Sequence, residues 1–271
     1  MGSRVVLTGI GVVSPIGIGK TEFWQNLNSG KTGIRSISLF DAETYPSKMA
    51  GEISNFVPTD YFSAKAANRI SRASQFALIA ARQAYNDARL ENIDPYRTDV
   101  VMGTGTSAFD IIEQEIFKSP SAGRKFEKGL TDPLAMTKAF ANAPACAIAL
   151  EYQTKSYTTT VTTACASALN AIGHAYLRIR ADEADVAIAG SVDTPINHLI
   201  YGAFCAARFL TTGETPEAAV SPFDKRRTKR ALGEGAAVFI LEDLEHAIDR
   251  GATIYAEIMG FSQSAENVNE R

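Results

Sequence analysis

Cysteine is scarce in this 271-residue chain: Cys146, Cys165 and Cys205 are the only three. They are an odd number, lie in apolar surroundings and lack metal-ligand spacing, which excludes a disulfide framework and leaves no candidate metal site. An excess of positive charge is also missing. Lys and Arg number 27 against 30 Asp and Glu, a net charge of -3, so no global field draws a phosphate backbone and nucleic acid is not expected as a partner. Long hydrophobic runs are absent too. No fully apolar stretch is longer than Ala236 to Leu241, which falls far short of the roughly 18 residues of a spanning helix. The N-terminus has no apolar signal region followed by a cleavage site. Met1-Gly2-Ser3 opens like an acylation signal, but Val6 stands where that signal needs Ser or Thr. A soluble, cytoplasmic protein without membrane association is expected. Compositional bias is lacking as well: 45% hydrophobic, 21% charged, 20 Gly and 10 Pro describe an ordinary globular chain of one large domain or two small ones.

What is present is an alternation. Arg4 to Gly11 is a β-branched run ending in glycine, and Thr21 to Leu27 after it has helical composition. Ala64 to Ala88 spaces Ile70, Ala73, Phe76, Ala77, Ala80, Ala81 and Ala84 as one long amphipathic helix with a small-residue face. Asp99 to Met102 is a short apolar run leading into Gly103-Thr104-Gly105, with a helical stretch at Ala108 to Phe117. Lys118 to Thr131 is polar and breaker-rich, and is expected as an exposed loop. Ala139 to Glu151 reads as an Ala-rich helix, Tyr157 to Thr163 as a strand, and Ala166 to Arg180 as a helix. Asp185 to Ala189, Ala236 to Leu241 and Ile254 to Phe261 read as further strands, with a helix at Leu244 to Arg250. This alternation predicts an α/β fold with a mainly parallel sheet covered on both faces.

The stretch most suggestive of chemistry is Thr160 to Gly173, where Cys165 sits between a β-prone run and a helix among residues too small to cover it. A thiol at a strand-to-helix junction meets unpaired N–H groups and the positive end of the helix dipole, which favour thiolate. Cys165 is therefore a candidate nucleophile. A small buried hydrophobe is the commoner role of a free cysteine, and spacing alone leaves that reading open. Cys146 and Cys205 lie in Ala-rich segments without a turn signal, where the buried role is expected. Gly103-Thr104-Gly105 is no dinucleotide fingerprint, because Ala108 replaces the third glycine.

Five segments together resemble a family. Val5 to Gly17, Gln75 to Ala88, Thr163 to Ala168, Ala203 to Leu210 and Ser221 to Gly235 are similar, in order and spacing, to the β-ketoacyl-acyl carrier protein synthases of the thiolase-like superfamily. The resemblance spans the chain but only the N-terminal half of the family's two similar halves. It implies a thiolase-like α/β half with a five-stranded mixed sheet between helices, residues 1–253 forming the ketosynthase domain and 254–271 the truncated start of the second half. It also implies a homodimer or a heterodimer with a ketosynthase-type subunit. Cys165 occupies the position of the family's acyl-accepting cysteine. Substrates would arrive on the phosphopantetheine of an acyl carrier protein, with no other cofactor. Thr106, Phe109 and Phe204 would line the acyl pocket, with core packing the alternative for the first two.

Lys65, Arg69 and Arg72, at i, i+4 and i+7 of the expected helix, and Arg208 would dock the acidic carrier, although a solvated face is the commoner meaning of such spacing. Two histidines of the second half, which assist decarboxylation in related synthases, have no counterpart among His174, His198 and His246. His174 is nine residues past Cys165, roughly 13 Å along a helix, and is expected to pack or lie on the helix surface. His198, in an irregular stretch, and His246 read as solvated or capping residues. Lys229-Arg230 stands where the family usually has Gly-Phe, putting two cations near the active cysteine. A non-catalytic partner similar to a chain-length factor is the rival reading. Cys165 argues against it, and Lys229-Arg230 and the missing histidines argue for it.

Overall fold

Small residues decide how closely the helices of this molecule approach its sheet. The computed structural model describes residues 2–106, 108–118, 131–225, 227 and 229–265. In chain order the first half runs β1 (Val5–Ser14), β2 (Gly17–Ile18), α1 (Lys20–Asn28), β3 (Arg35–Ser36), β4 (Met49–Gly51), α2 (Ala64–Ala67), α3 (Arg72–Ala88), β5 (Thr98–Gly103) and α4 (Phe109–Lys118). It continues with α5 (Ala135–Ala139), α6 (Ala143–Tyr152), β6 (Thr158–Val161), α7 (Ser167–Arg180), β7 (Val186–Asp193), α8 (His198–Ala206), α9 (Pro216–Ala219), β8 (Leu232–Gly233), β9 (Gly235–Asp243), α10 (Leu244–Asp249) and β10 (Ala256–Glu257). The main sheet has the order β10-β1-β9-β7-β5-β6, with β2 folded back on β1. Its five longer strands are the expected five, and β2 and β10 raise the count to seven.

The sheet is mixed. β5 runs parallel to both β6 and β7, whereas β9 runs antiparallel to β7 and β1, so the expectation of a mainly parallel sheet holds for only one side. β9 enters the main sheet directly from β8, with a single residue between them. A second sheet, β3-β4-β8, was not expected from the sequence.

On one face α3 lies against β1 and β9 with Ala73, Ala77, Ala80, Ala81 and Ala84 fully buried. The approach is so close that a Cβ on Gly11 would fall 1.9 Å from the Ala80 carbonyl oxygen. On the other face α7 buries Ala171, Ala175 and Ile179 against Val5, Val101, Ala187 and Ala189. Gly103 lets α7 reach β5, since a Cβ there would sit 2.4 Å from the Ser167 carbonyl oxygen. Gly103→Ala is expected to destabilise the fold by about 1–3 kcal/mol through overpacking. Urea unfolding measures it, and a loss below about 0.5 kcal/mol, the range of a neutral surface change, would mean that α7 lifts from the sheet freely.

Two expected helices are broken, each for a local reason. Ala64 to Ala88 divides into α2 and α3 because Ser63 and Ser71 each cap a helix, accepting from the N–H of Ala66 and Ser74 at 3.2 Å. Ala139 to Glu151 divides at residues 140–142 because Pro144 opens α6, and proline is tolerated only in a helix's first turn. In the expected strand Ile254 to Phe261, only Ala256 and Glu257 pair with β1. Apart from its ends, the loop expected at Lys118 to Thr131 lies outside the described residues.

Candidate functional site

The carboxyl ends of the parallel strands β5, β6 and β7 converge, and three loops meet beyond them. After β6 the chain turns through Thr162 and Thr163 into a single 3-10 turn, Ala164–Ala166, and then into α7. Cys165 sits in that turn and is exposed. The residue before it, Ala164, has φ of 50°, a left-handed conformation that costs a residue with a Cβ on the order of 1 kcal/mol. Ser167 holds this geometry. Its hydroxyl accepts from the Thr163 N–H at 2.8 Å and lies 2.6 Å from the Ala164 carbonyl and 3.1 Å from that of Thr104. Asn170 adds a bond from Nδ2 to Thr163 Oγ1 at 2.7 Å. The N–H groups of Ala166 and Ser167 donate to the Thr163 and Ala164 carbonyls within the 3-10 turn, and the positive pole of a 14-residue helix starts there. A thiol in this position has access and a fixed approach, two things that a nucleophile toward a thioester needs.

Asp193, at the end of β7, organises the neighbouring loop. Its Oδ1 accepts from Thr104 Oγ1 at 2.9 Å, from Thr106 N at 2.7 Å and from Thr106 Oγ1 at 2.8 Å, and Oδ2 accepts from Gly105 N at 2.9 Å. This loop touches the cysteine turn, for a Cβ on Gly105 would lie 3.4 Å from the Ala164 carbonyl oxygen. Thr106 is thus brought beside the Cys165 turn, and half-buried Phe109 begins the helix that follows. Phe204 is placed elsewhere. It lies on α8 against the cluster of Ala50, Ile196, Tyr201 and Leu210, with its ring 6.1 Å from that of Phe209. Asp193, Ser167 and Asn170 escaped the sequence reading. Asp193 had a signal, a lone carboxylate closing an apolar strand, which in α/β sheets is where ligands gather.

The expected cationic face does not exist as one helical face. Lys65 and Arg69 are exposed on either side of the α2 terminus, and Arg208 is exposed beyond α8. Arg72 turns inward. Its Nε and Nη2 donate to Glu234 at 2.8 and 2.6 Å, Nη2 donates to the Ile53 carbonyl at 2.9 Å, and the guanidinium lies 4.6 Å from the Phe76 ring centre. Arg72 is therefore a structural cation.

The remaining cysteines, His198 and His246 also differ from expectation, whereas His174 does not. Cys146 is exposed on α6 rather than buried, and Cys205 is half-buried on α8, where burial pushes its thiol pKa up. His198 is neither irregular nor solvated. It opens α8, its Nδ1 is 3.0 Å from the Tyr45 hydroxyl, and its ring lies 4.5 Å from that of Phe40. His246 Nδ1 is 2.8 Å from Glu242 Oε2, within a buried network that includes Thr8 and Arg250. His174 is half-buried on α7.

Asp110, one residue past Phe109, is a further titratable group missed by the sequence. Its Oδ1 is buried without a hydrogen-bond partner among the described residues. Loss of solvent raises its carboxyl pKa to about 6 against the pull of its own backbone N–H groups and Arg72. The unfolded chain releases this proton near pH 4 and the folded chain only near pH 6. The contribution of Asp110 to stability is therefore fully present below pH 4, is lost between pH 4 and 6, and is level above. The drop is on the order of 2 kcal/mol once partial solvent contact is allowed for. Asp110→Asn is expected to abolish that drop and raise stability at pH 7, as read from urea unfolding at pH 4, 5, 6 and 7. An unchanged pH profile would remove Asp110 as its source.

A mixed sheet layered between helices, with an exposed cysteine at the carboxyl ends of its parallel strands, defines a thiolase-like fold. The described family "Beta-ketoacyl synthase, N-terminal domain" matches residues 2–247, and the chain belongs to it. It is 38% identical over 267 residues to 3-oxoacyl-[acyl-carrier-protein] synthase 2 of Coxiella burnetii, covering 97% of this chain and 63% of that relative. The solved ishigamide ketosynthase/chain length factor superposes with a TM-score of 0.86 at 33% identity, over 96% of this chain and 63% of that one. A type II PKS acyl-carrier protein in complex with its ketosynthase bound to the hexaketide gives a TM-score of 0.84 at 32% identity, over 95% and 62%. The chain thus spans a little under two thirds of these relatives. Among the described residues no helix is long and apolar enough to cross a membrane.

Proposed function

We propose that this chain carries the acyl-accepting step of a β-ketoacyl-acyl carrier protein synthase in fatty acid or polyketide synthesis, working in the cytoplasm. Cys165 is the nucleophile. The observation that carries this reading is an exposed cysteine in a turn fixed by Ser167 and left-handed Ala164, at the amino end of α7. The thiolate attacks the carbonyl of a thioester delivered on a carrier's phosphopantetheine arm, the carrier's carbon–sulfur bond breaks, and its thiol leaves with a proton while the acyl group remains on Cys165. Thr106 and Phe109 begin the acyl pocket. Phe204 is retained only as a more distant part of its wall. Lys65, Arg69 and Arg208 are the docking cations for an acidic carrier, and Arg72 is not one of them.

Exposed Leu169 and Leu177 on α7 and Met259 beyond β10, 70%, 46% and 85% exposed, form the kind of apolar surface that a second ketosynthase-type half or subunit covers. The test is to incubate the chain with acyl-carrier protein and map the adduct by mass spectrometry. An acyl mass on the Cys165 peptide supports the proposal, and an unmodified Cys165 under conditions that acylate a complete synthase overturns it in favour of a non-catalytic, chain-length-factor-like partner.

A further inference from the structure

The second sheet frames a cleft whose lining includes neither Cys165 nor any other residue of its turn. β4 and β8 pair in parallel with Gly51 opposite Gly233, so two glycines lie side by side and no side chain rises from the floor. A Cβ on Gly233 would meet only Gly51 backbone atoms, at 3.7 Å and beyond. The cleft opening here has a volume of about 760 Å³, within the usual range of small-molecule sites. Ile34, Val220, Pro222 and Leu232 give it an apolar side, and Lys225, Arg227, Lys229 and Arg230 give it four cations.

No Asp or Glu lines this cleft among the described residues. The ion pairs of the described residues engage other arginines and lysines and none of these four. Two of the four are held in place: Arg227 Nη1 donates to the Asp224 carbonyl at 3.2 Å, and the Arg230 guanidinium lies 5.8 Å from the Phe209 ring centre. Four like charges around one concavity, with no ion pair to a described residue, repel one another, in a chain whose net charge is -3. An anionic ligand of matching charge relieves that repulsion. A monocarboxylate would offset one of the four charges and a single phosphate ester about two, whereas two or more phosphates approach balance. Arginine forks suit phosphate oxygens in paired geometry, and lysines add mobile point charges.

We propose that this cleft binds an organic oligophosphate, its phosphates on Lys225, Arg227, Lys229 and Arg230 and its organic part against the apolar side. Two sources share that chemistry, a free nucleoside diphosphate and the nucleotide end of a coenzyme-type acyl thioester. The cations line a hollow rather than a convex surface, which favours a small ligand over an acidic protein. The inference is distinct from the proposed acyl transfer, because neither Cys165 nor its turn lines this cleft.

Calorimetric titration of the full chain with ADP, coenzyme A, pantetheine 4′-phosphate and inorganic phosphate tests it. ADP and coenzyme A are expected to bind at least about tenfold more tightly than inorganic phosphate, with affinity falling as salt rises. Equal affinity for the two assigns a free nucleotide, and tighter coenzyme A assigns the thioester donor. The double variant Lys229→Gln, Arg230→Gln is expected to weaken both by about tenfold or more, and Lys229→Arg to retain binding. Circular dichroism checks that each variant is folded. Absence of ADP and coenzyme A binding at millimolar concentration overturns the proposal. So does undiminished binding by the folded double variant, inorganic phosphate binding as tightly as ADP, or capture of an acidic carrier protein without either nucleotide. Acylation of Cys165 is read separately, so either result can fail alone.

Discussion

Cys165→Ala is expected to eliminate the acyl adduct, lowering its rate of formation by at least about 10³-fold, because no other group in the turn can form the bond. Thr163 Oγ1 is already bonded by Asn170, and the Ser167 hydroxyl is buried and spent on the turn itself. Stability should change by less than about 0.5 kcal/mol, since the side chain is exposed and small. Intact-mass spectra at timed intervals measure the first effect and urea unfolding the second. Wild-type chain acylated but offered malonyl-carrier protein is expected to give no useful ketoacyl product. Holding a malonyl carboxylate and stabilising the developing enolate need polar partners each worth about 10²–10³ in rate. Here two of the three histidines are engaged elsewhere, His198 with Tyr45 and Phe40 and His246 with Glu242, and His174 lies nine residues past Cys165 along α7. Robust product from these 271 residues would sink the division of labour, and an adduct persisting in Cys165→Ala would remove Cys165 as nucleophile.

Arg72→Ala is expected to destabilise the protein by about 3 kcal/mol, at the lower end of the range for breaking a buried pair. Glu234 has a side chain only 1% exposed, so the variant leaves its carboxylate buried with the Ile53 N–H as its remaining described donor. The loss corresponds to a fall in Tm on the order of 10 °C. Arg72→Ala combined with Glu234→Leu should recover part of it, because no charge is then stranded. Lys65→Ala and Arg69→Ala, by contrast, should leave Tm unchanged and act only on carrier binding. Equal, small effects of all three would restore Arg72 to the exposed face that its spacing suggested.

Arg72 shows why parts of the molecule were legible and others were not. Apolar runs bounded by glycine located β1, β5, β7 and β9, because burial on both faces demands such runs whatever lies around them. Cys165 was legible for a similar reason, as small residues between a strand and a helix signal a tight, open junction. The helical spacing of Lys65, Arg69 and Arg72 was misleading because it presumed that the helix continues through Ser71, whose hydroxyl instead caps a new start. Glu234 lies 162 residues from Arg72 in sequence, and no local pattern announces such a partner. The direction of β9 was equally hidden, since an apolar run has the same composition read either way. Asp193 and Asp110 acquire their roles only when the loops beyond three strands meet.

The placement of β1 carries a consequence for biogenesis. Its main partner is β9, with Val5 opposite Asp243 and Val13 opposite Ala236, so β1 waits for a strand made long after it. At a synthesis rate of about 5–20 residues per second, roughly ten to fifty seconds separate them. During that interval a β-branched, apolar segment has emerged without its neighbour, and closing so long a loop makes the step slow as well as late. A nascent chain of this architecture is thus a natural client for holding chaperones. Its yield in the cell should depend on their supply more than on the stability of the finished fold.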